Sequence, residues 1–363
     1  DKAVKSQIDT GTMYSISHPV ELELAELLIE RIPCAEMVRF AKGGGDACAV
    51  SIRIARGTTG KDKILFCGYH GWHDWYLAAN LSGEELDDHL FPGIDPIGVP
   101  VALKDTAIPF AYGDIDALAS LLEQHHGEIA AIMMEPFRSQ LPPTGYLQAV
   151  RTLANQHGVL LIFDEVSSGF RPTASGAQPL VGVEPDLAVF AKSISNGYPM
   201  GAVVGTRQAM QPAAQMFISS TYWSDTLGIQ AALTTLKEVE RRDVPATIHA
   251  TGQRLKHDVS NLIQQHSIPA TCEGVDWHPY LRFDGGHNTA LINTLFIQEM
   301  AKRGVHMNTS FYINAAHGDD EVQKTLKAID ETFLVIRHGL DAEVIPDLVE
   351  AIPQTEAFKR LVR

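Results

Sequence analysis

Short apolar runs alternate with amphipathic stretches between residues 37 and 206, and this alternation constrains the fold more than any other feature of the sequence. Each run has the length and the β-branched or aromatic content of a buried strand: 37–41, 63–69, 129–135, 159–166, 187–191 and 201–205. Helices are predicted in the gaps at Ala47–Arg56, Ile115–His125 and Leu147–His157. The alternation favours an α/β fold in which helices cover both faces of a mostly parallel sheet.

Two stretches depart from this rhythm. The last two runs are joined only by KSISNGYPM (192–200), which is too short for a parallel crossover, so this pair is expected to be antiparallel. Residues 81–108 carry acidic residues and several prolines. We expect them to form either a surface loop near the rim of a site or a plain long connection.

After residue 240 the pattern changes to long polar–apolar helices, predicted at Ile248–Ser267, Asn288–Arg303 and Asp319–His338, with short apolar runs between them. We therefore expect a large domain over residues 1–240 and a smaller α+β domain over residues 241–363. The sequence starts with DKAVKSQIDTGT, which looks like the middle of a helix, so we expect that an N-terminal segment is missing.

Charge and cysteine content narrow the range of functions. The formal net charge of -15 argues against nucleic acid or an anionic membrane as a partner. No apolar run reaches about 18 residues, the length needed to cross a bilayer. The four cysteines are scattered without metal-binding spacing, which favours reduced thiols in a cytoplasmic protein: Cys34, Cys48, Cys67 and Cys272.

Three charged residues, Glu135, Asp164 and Lys192, each directly follow an apolar run. Because ligands bind at the carboxyl ends of parallel strands, these side chains are expected to form one site. An aspartate beside a lysine there suits pyridoxal phosphate (PLP), since the lysine forms a Schiff base and the acid pairs with the pyridinium nitrogen. A lysine after a buried strand is expected to lose hydration, which favours the nucleophilic amine. Taken alone, Lys192 could be solvated, and Asp164 could cap a helix or pair with Arg171.

A phosphate group needs a cradle, and the segment FAKGGGDACAV offers a strand, the glycines Gly43–Gly45 and then a helix. Amide groups at a helix N-terminus bind anions, and glycine lets the backbone approach a phosphate closely, although such a turn alone is weak evidence. Tyr69 lies at another strand end. It could stack on a cofactor ring or join an aromatic cluster with Trp72 and Trp75.

The strand that ends at Asp164 also orients its neighbours. Val166 shares a face with Asp164 and could pack under a cofactor ring, whereas Glu165 points away and carries no predicted chemistry. The segment His70–Asp74 contains two histidines and an aspartate with HxxHD spacing. Because it lacks a convincing third ligand, we do not expect a metal site there.

Taken together, these motifs resemble the class III PLP-dependent aminotransferases, in particular the glutamate-1-semialdehyde 2,1-aminomutase-like branch. The segments occur in the order seen in that family and span residues 10–340: GTMYSISHPVELELAELL, FAKGGGDACAVSIRIAR, YHG, MMEP, LIFDEVSSGFR, PDLAVFAKSISNGYPMGAVVG and STYWSDTLGIQAA. The paired DEV and PDL…K motifs are highly specific, and the glycine turn is less so.

The resemblance implies a fold type I PLP-dependent transferase. Its large domain would hold a mostly parallel seven-stranded sheet, with a smaller α+β C-terminal domain, and it would act as a homodimer with shared active sites. Lys192 matches the Schiff-base lysine and Asp164 the pyridinium partner. Val166 and Tyr69 match residues on either side of the cofactor ring. Glu135 matches the acid of an EP motif near the cofactor or substrate.

The resemblance also implies contacts to the cofactor phosphate, from Gly44, Gly45 and Asp46 and, across the dimer interface, from Thr221. The family's usual turn, Ser-Gly-Thr-Glu-Ala, is replaced here by GGGDA at residues 43–47, so a hydroxyl contact is lost. A common GNP segment becomes SDT at residues 224–226. Tyr14 and Ser15, in GTMYS, could reach the substrate pocket or could merely pack.

The leading functional hypothesis is an aminotransferase that moves an amino group from a small-molecule amine to an aldehyde or ketone. A second is a glutamate-1-semialdehyde 2,1-aminomutase, which shifts an amine within one molecule and needs no separate donor. A third is a PLP-binding but inactive scaffold or regulatory domain. A nicotinamide-dependent dehydrogenase is disfavoured because no GxGxxG follows the early strands.

Overall fold

The computed structural model describes residues 1–82 and 95–351. They form two compact units, of which one comprises Asp1–Asp243 and the other begins at Val244. The first unit contains a single seven-stranded sheet. In chain order its strands are β1 (Met37–Ala41), β2 (Lys63–Cys67), β3 (Ala107–Pro109), β4 (Ile129–Met134), β5 (Leu160–Asp164), β6 (Leu187–Phe190) and β7 (Gly201–Gly205).

The strands lie in the order β1-β7-β6-β5-β4-β2-β3. Strands β3, β2, β4, β5 and β6 are parallel neighbours, whereas β7 is antiparallel to both β6 and β1. The expected α/β class with a mostly parallel sheet is therefore confirmed. The short link between β6 and β7 allows only an antiparallel return, as its length predicted.

Helices of the first unit cover both faces of the sheet. They are α1 (Lys2–Thr10), α2 (Pro19–Arg31), α3 (Gly44–Thr59), α4 (Asp74–Leu77), α5 (Ile115–Gln124), α6 (Tyr146–His157), α7 (Gln178–Val181), α8 (Arg207–Met210) and α9 (Thr226–Arg241). Several are bounded by capping residues. The side chain of Asp114, for example, accepts a hydrogen bond from the Ala117 N–H at the start of α5, and Gly158 ends α6 in a left-handed conformation.

Alternate residues of each strand face opposite sides of the sheet. In β5, Leu161 and Phe163 belong to an apolar cluster that includes residues of α2, α5, α6 and α9. Ile162 belongs to a second cluster that includes residues of α3. Asp164, two residues after Ile162, therefore lies on the side of the sheet that α3 covers.

The stretch 81–108 is only partly a loop. Its central part, residues 83–94, lies outside the described residues. Val101–Leu103 forms a single 3₁₀ turn, and the edge strand β3 begins at Ala107. The expectation of irregular structure throughout 81–108 was wrong at this end. β3 has only three paired residues and ends in Pro109, which fits an edge strand but gives little signal in a sequence.

The second unit is an α+β arrangement with one antiparallel strand pair. Its elements are α10 (Val244–Gln265), β8 (Ala270–Glu273), β9 (Tyr280–Phe283), α11 (Thr289–Lys302), α12 (Asp319–Asp341) and α13 (Ile345–Leu348). Ile292, Phe296 and Phe333 are fully buried in its interior. Within the described parts of the chain, no helix combines the length and the apolar character needed to cross a bilayer.

Candidate active site

Side chains from three parallel strands meet in one cavity at the carboxyl edge of the sheet. Glu135 directly follows β4, Asp164 ends β5 and Lys192 comes two residues after β6. All three line a cavity of about 380 Å³, which is within the usual range for small-molecule sites. The structure thus brings together the three charged residues that the sequence singled out.

Asp164 is a buried carboxylate whose oxygen atoms are both hydrogen-bonded. Oδ1 accepts from the backbone N–H of Val166 at 2.9 Å, and Oδ2 lies 2.8 Å from Nδ1 of His70. Burial alone would raise the pKa of Asp164, but the hydrogen bond and charge of His70 and the Val166 N–H outweigh it and lower the pKa. The site therefore holds a fixed negative charge at its base.

His70 is the residue that sequence reasoning missed. Its ring is almost fully buried, with Nδ1 facing Asp164 and Nε2 lying 3.1 Å from the backbone oxygen of Cys67. Both neighbours are acceptors when Asp164 is ionised, so each ring nitrogen of His70 faces an oxygen that can accept a hydrogen bond. Its position directly after Tyr69 was visible in the sequence, but its partner lies 94 residues away.

Lys192 lies at the start of a 3₁₀ turn, with a left-handed φ of 49°. Its Nζ donates a hydrogen bond to the hydroxyl of Ser167 at 2.9 Å. In the single chain the Lys192 side chain is exposed, so the expected loss of hydration was wrong. The reason is geometric: the lysine lies beyond the end of β6, where it borders an open cavity instead of the core.

Glu135 is tied to Arg138 in a buried two-pronged ion pair. Arg138 Nε donates to Glu135 Oε2 at 2.7 Å, and a second guanidinium nitrogen contacts Oε1. Burial raises the pKa of Glu135, and the adjacent guanidinium offsets part of that rise. Arg138 neutralises a carboxylate that would otherwise add a second negative charge beside Asp164.

The glycine turn lies against the cavity where α3 begins. Gly43, Gly44 and Gly45 all line the cavity, and the cap residue Gly43 has no side chain to bind the first amides of the helix. A Cβ atom on Gly44 would lie 3.0 Å from Val166 Cγ1, a contact so tight that the valine side chain would have to shift. The turn therefore presents backbone to the cavity, as a phosphate cradle requires.

Two further predicted residues line the same cavity, namely Tyr69 and Val166. Tyr69 is half-buried and makes an edge-on ring contact with Tyr76 at 5.9 Å. Glu165 points to the opposite side of β5, where its carboxylate accepts hydrogen bonds from Ala177 N–H and the Gln178 amide.

Four predicted residues do not line the cavity within one chain: Asp46, Thr221, Tyr14 and Ser15. Asp46 lies in the first turn of α3, with Oδ1 3.4 Å from Nε2 of His73. Thr221 and Ser15 are exposed, and the Tyr14 hydroxyl donates to the backbone oxygen of Thr10.

Lys42 is a second lining residue that the sequence analysis did not single out. Its Nζ forms a half-buried ion pair with Asp225, one of the residues that depart from the family's usual GNP segment. Asp225 Oδ1 also accepts a hydrogen bond from the Leu227 N–H at 3.0 Å and so caps α9. The pair joins the end of β1 to the start of α9 at the cavity wall.

A metal-like grouping overlaps the same site. Among the described residues, three potential metal ligands lie within 4.8 Å of one another, one each from Cys48, His70 and Asp164. The Cys48 thiol is fully buried, and burial next to Asp164 raises its pKa well above the ordinary value. A neutral thiol and a histidine already bonded to a carboxylate make a weak metal site.

Comparison with known proteins decides the family. The family model for class III aminotransferases matches residues 1–275. This chain belongs to the class III aminotransferase family. Members of the class III aminotransferase family use PLP.

Named relatives differ in their reactions. The chain is 36% identical over 352 residues to 3-aminobutyryl-CoA aminotransferase of Cloacimonas acidaminovorans, covering 94% of this chain and 81% of the relative. It is 32% identical to glutamate-1-semialdehyde 2,1-aminomutase of Methanocaldococcus jannaschii, over 92% of this chain and 82% of that relative. Among solved structures, the PLP-containing FumI protein of Sphingopyxis sp. MTA144 matches with a TM-score of 0.85 at 25% identity. The match covers 96% of this chain and 82% of FumI.

Proposed function

We propose that this protein transfers an amino group from a small-molecule amine to an aldehyde or ketone, with Lys192 and Asp164 as its two central residues. The observation that carries the proposal is the single cavity that both side chains line, opposite the start of α3. The named aminotransferase relative at 36% identity supports the same reaction class.

The residues of the cavity fit PLP. Asp164 offers a buried carboxylate held ionised by His70, which suits the protonated nitrogen of a pyridine ring. Gly44 and Gly45 offer backbone without side chains at a helix N-terminus, which suits a phosphate. Lys192 offers an amine just beyond the end of the neighbouring strand β6. When bound, the cofactor supplies an electron sink for negative charge on the substrate carbon.

Each residue then has a task of its own. Lys192 Nζ would hold the cofactor. Once an amine substrate has displaced it, Nζ would accept a proton from the substrate carbon and pass that proton to the cofactor carbon that carries the transferred nitrogen. Asp164 keeps a proton in place on the pyridine nitrogen through its fixed charge. Tyr69 and Val166 confine the ring, and the Glu135–Arg138 pair keeps the wall beside it electrically neutral.

An aminomutase is the second candidate, because several relatives named glutamate-1-semialdehyde 2,1-aminomutase are 32–33% identical over nearly the whole chain. The two reactions differ in one measurable respect. A transaminase needs a separate amine donor and leaves the cofactor in its amino form after one half-reaction. An aminomutase converts a single substrate and needs no second molecule.

We propose a homodimer with shared active sites. The support is an exposed apolar surface that a lone chain leaves in water, with Leu22 62% and Tyr222 67% exposed beside a groove lined by Phe40 and Trp223. In such a dimer, the partner subunit's Thr221 would supply the phosphate contact that the glycine turn lacks. Light scattering after gel filtration tests whether the protein is a dimer. A lower affinity of Thr221→Ala for PLP would support the phosphate contact.

We further propose that residues 1–240 bind the cofactor, that residues 241–363 form the small domain, and that the protein is cytoplasmic. The free cysteines support the last point, since Cys34, Cys48 and Cys67 are buried thiols without disulfide partners. Osmotic-shock fractionation of expressing cells, followed by immunodetection, tests the compartment.

The experiment that tests the function is a titration of the PLP-bound protein with a panel of amines, followed by visible absorption. Loss of the visible band with one donor, and its recovery with an aldehyde or ketone, supports the transaminase. If glutamate 1-semialdehyde alone is converted without donor, the aminomutase replaces it. If no amine changes the band and no substrate is converted, the proposed catalytic function is wrong.

A further inference from the structure

Ser167 is placed beside Lys192 by the sheet itself. Strands β5 and β6 are parallel neighbours, with Asp164 opposite Val189, and the backbone N–H of Glu165 extends the ladder by donating to the oxygen of Val189 at 2.8 Å. Ser167 comes three residues after the end of β5, and Lys192 comes two residues after the end of β6. Their contact at 2.9 Å is therefore fixed by strand pairing.

The turn that carries Ser167 is held rigidly. The Gly169 N–H donates to the oxygen of Glu165 at 2.7 Å, and the hydroxyl of Ser193 donates to the oxygen of Gly169 at 2.6 Å. A Cβ atom on Gly169 would lie 2.7 Å from the Phe190 ring, so the turn is packed tightly against β6. Lys192 has a long flexible side chain, and a hydrogen bond to a fixed hydroxyl limits its orientations.

A hydroxyl is chemically suited to this lysine. It has one donor and two acceptor positions, so it accepts from an ammonium and, after rotating its hydrogen, donates to a neutral amine. The amine of Lys192 alternates between these states as it takes a proton from the substrate carbon and then passes that proton on. A partner that serves both states keeps the nitrogen in place without gaining or losing a proton itself.

We propose that Ser167 is a positioning residue for Lys192 and that its hydroxyl holds the lysine amine at the cavity in both protonation states. The inference rests on the proposed function. It extends that function to a residue to which the resemblance assigned no role.

The test follows the capture of PLP by the apoprotein, measured as growth of the visible band at pH values high enough for the rate to reach its plateau. On that plateau the Lys192 amine is neutral in every variant, so a difference in plateau rate between variants reports a difference in the position of the amine. Ser167→Ala is expected to lower the plateau rate by about three- to tenfold, the effect of one lost hydrogen bond. Ser167→Thr keeps the hydroxyl and is expected to restore the rate to within about twofold.

Ser168→Ala is the matched control. Its hydroxyl is buried in the same turn and has no hydrogen-bond partner within the part of the chain that the structure describes. This variant is expected to capture PLP at the wild-type rate. If alanine at 167 disturbs folding, as judged by urea unfolding, Ser167→Cys repeats the test with a side chain of similar size and weaker hydrogen bonding.

Equal plateau rates for wild type and Ser167→Ala would overturn the inference, as would an equal loss in Ser168→Ala. Failure of the threonine variant to recover the rate would also count against it. The proposed function fails separately, if wild-type apoprotein develops no visible band with PLP or if Lys192→Ala develops the same band.

Discussion

Nδ1 of His70 lies 2.8 Å from Oδ2 of Asp164 in a contact that is almost completely shielded from water. The end of β5 thus supplies the carboxylate, and the segment after β2, two positions away in the sheet, supplies the imidazole beside it. The charge at the base of the cavity depends on both residues, because an isolated carboxylate at this depth would take up a proton.

The first prediction concerns His70→Phe, which keeps an aromatic ring and removes both nitrogen atoms. Asp164 would remain buried without its charged partner, so we expect a loss of about 3–5 kcal/mol in the free energy of unfolding and weaker PLP binding. Urea unfolding and fluorescence titration with PLP measure the two effects. His73→Phe, on the same segment but half-exposed, serves as control. Equal stability of the two variants would contradict the assigned pairing.

The glycine turn gives a second prediction. In Gly44→Ala the new Cβ would lie 3.0 Å from Val166 Cγ1 and push that side chain into the cavity, so we expect PLP affinity to fall about tenfold. In Gly43→Ala the nearest atom is Asp46 Oδ2 at 3.6 Å, an ordinary contact, and affinity should change little. Titration of both apoproteins with PLP decides the matter, and a larger loss in Gly43→Ala would refute the packing argument.

A third prediction follows from the buried Glu135–Arg138 pair. Arg138→Met leaves a buried carboxylate without its guanidinium, and we expect a loss of about 3–5 kcal/mol in the free energy of unfolding. The double variant Glu135→Gln with Arg138→Met should recover part of that loss, because the pair then leaves no unpaired charge behind. Arg241→Met breaks a pair on the surface and should have no resolvable effect. Additive losses in the double variant would show that the two residues act independently.

Glu165 provides a prediction about pH. Burial raises its pKa from 4.5 to about 7, and the hydrogen bonds from Ala177 and Gln178 only partly offset the rise. When the pKa of a carboxyl group is higher in the folded chain than in the unfolded chain, its protonated form stabilises the fold. This contribution is fully present below the unfolded-state pKa of 4.5 and is lost as the pH rises through the folded-state pKa of about 7.

We therefore expect the wild-type free energy of unfolding to decline between pH 4.5 and about 7. The decline should be on the order of 1–3 kcal/mol, and it should be absent in Glu165→Gln. Urea unfolding across the pH range measures the slope. The exposed Glu184→Gln should retain the wild-type slope. Identical slopes in all three proteins would mean that Glu165 has an ordinary pKa in the folded state.

The sequence predicted those features of the site that follow from a local residue pattern and from one rule of sheet topology. The apolar runs before Glu135, Asp164 and Lys192 identify buried strands, and parallel strands must bring their carboxyl ends to one edge. The two-residue period of β5 likewise predicted that Val166 accompanies Asp164 while Glu165 turns away. These inferences need only neighbouring residues.

What the sequence could not predict depends on contacts between distant segments. The partner of Asp164 lies 94 residues earlier, and nothing in the pattern around His70 distinguishes it from a surface histidine. The contact of Ser167 with Lys192 follows from strand register, which spacing alone does not fix. Exposure of Lys192 depends on the shape of the cavity, so the expected desolvation did not follow from its strand-end position.

The central claim is that Lys192 holds the cofactor in this cavity, and a visible absorption spectrum of the purified protein with PLP tests it most directly. The wild type is expected to show a visible band that survives gel filtration and bleaches with an amine donor. Lys192→Ala is expected to lack that band while unfolding normally in urea. If Lys192→Ala keeps the band and the response to amines, the assignment of Lys192 is wrong.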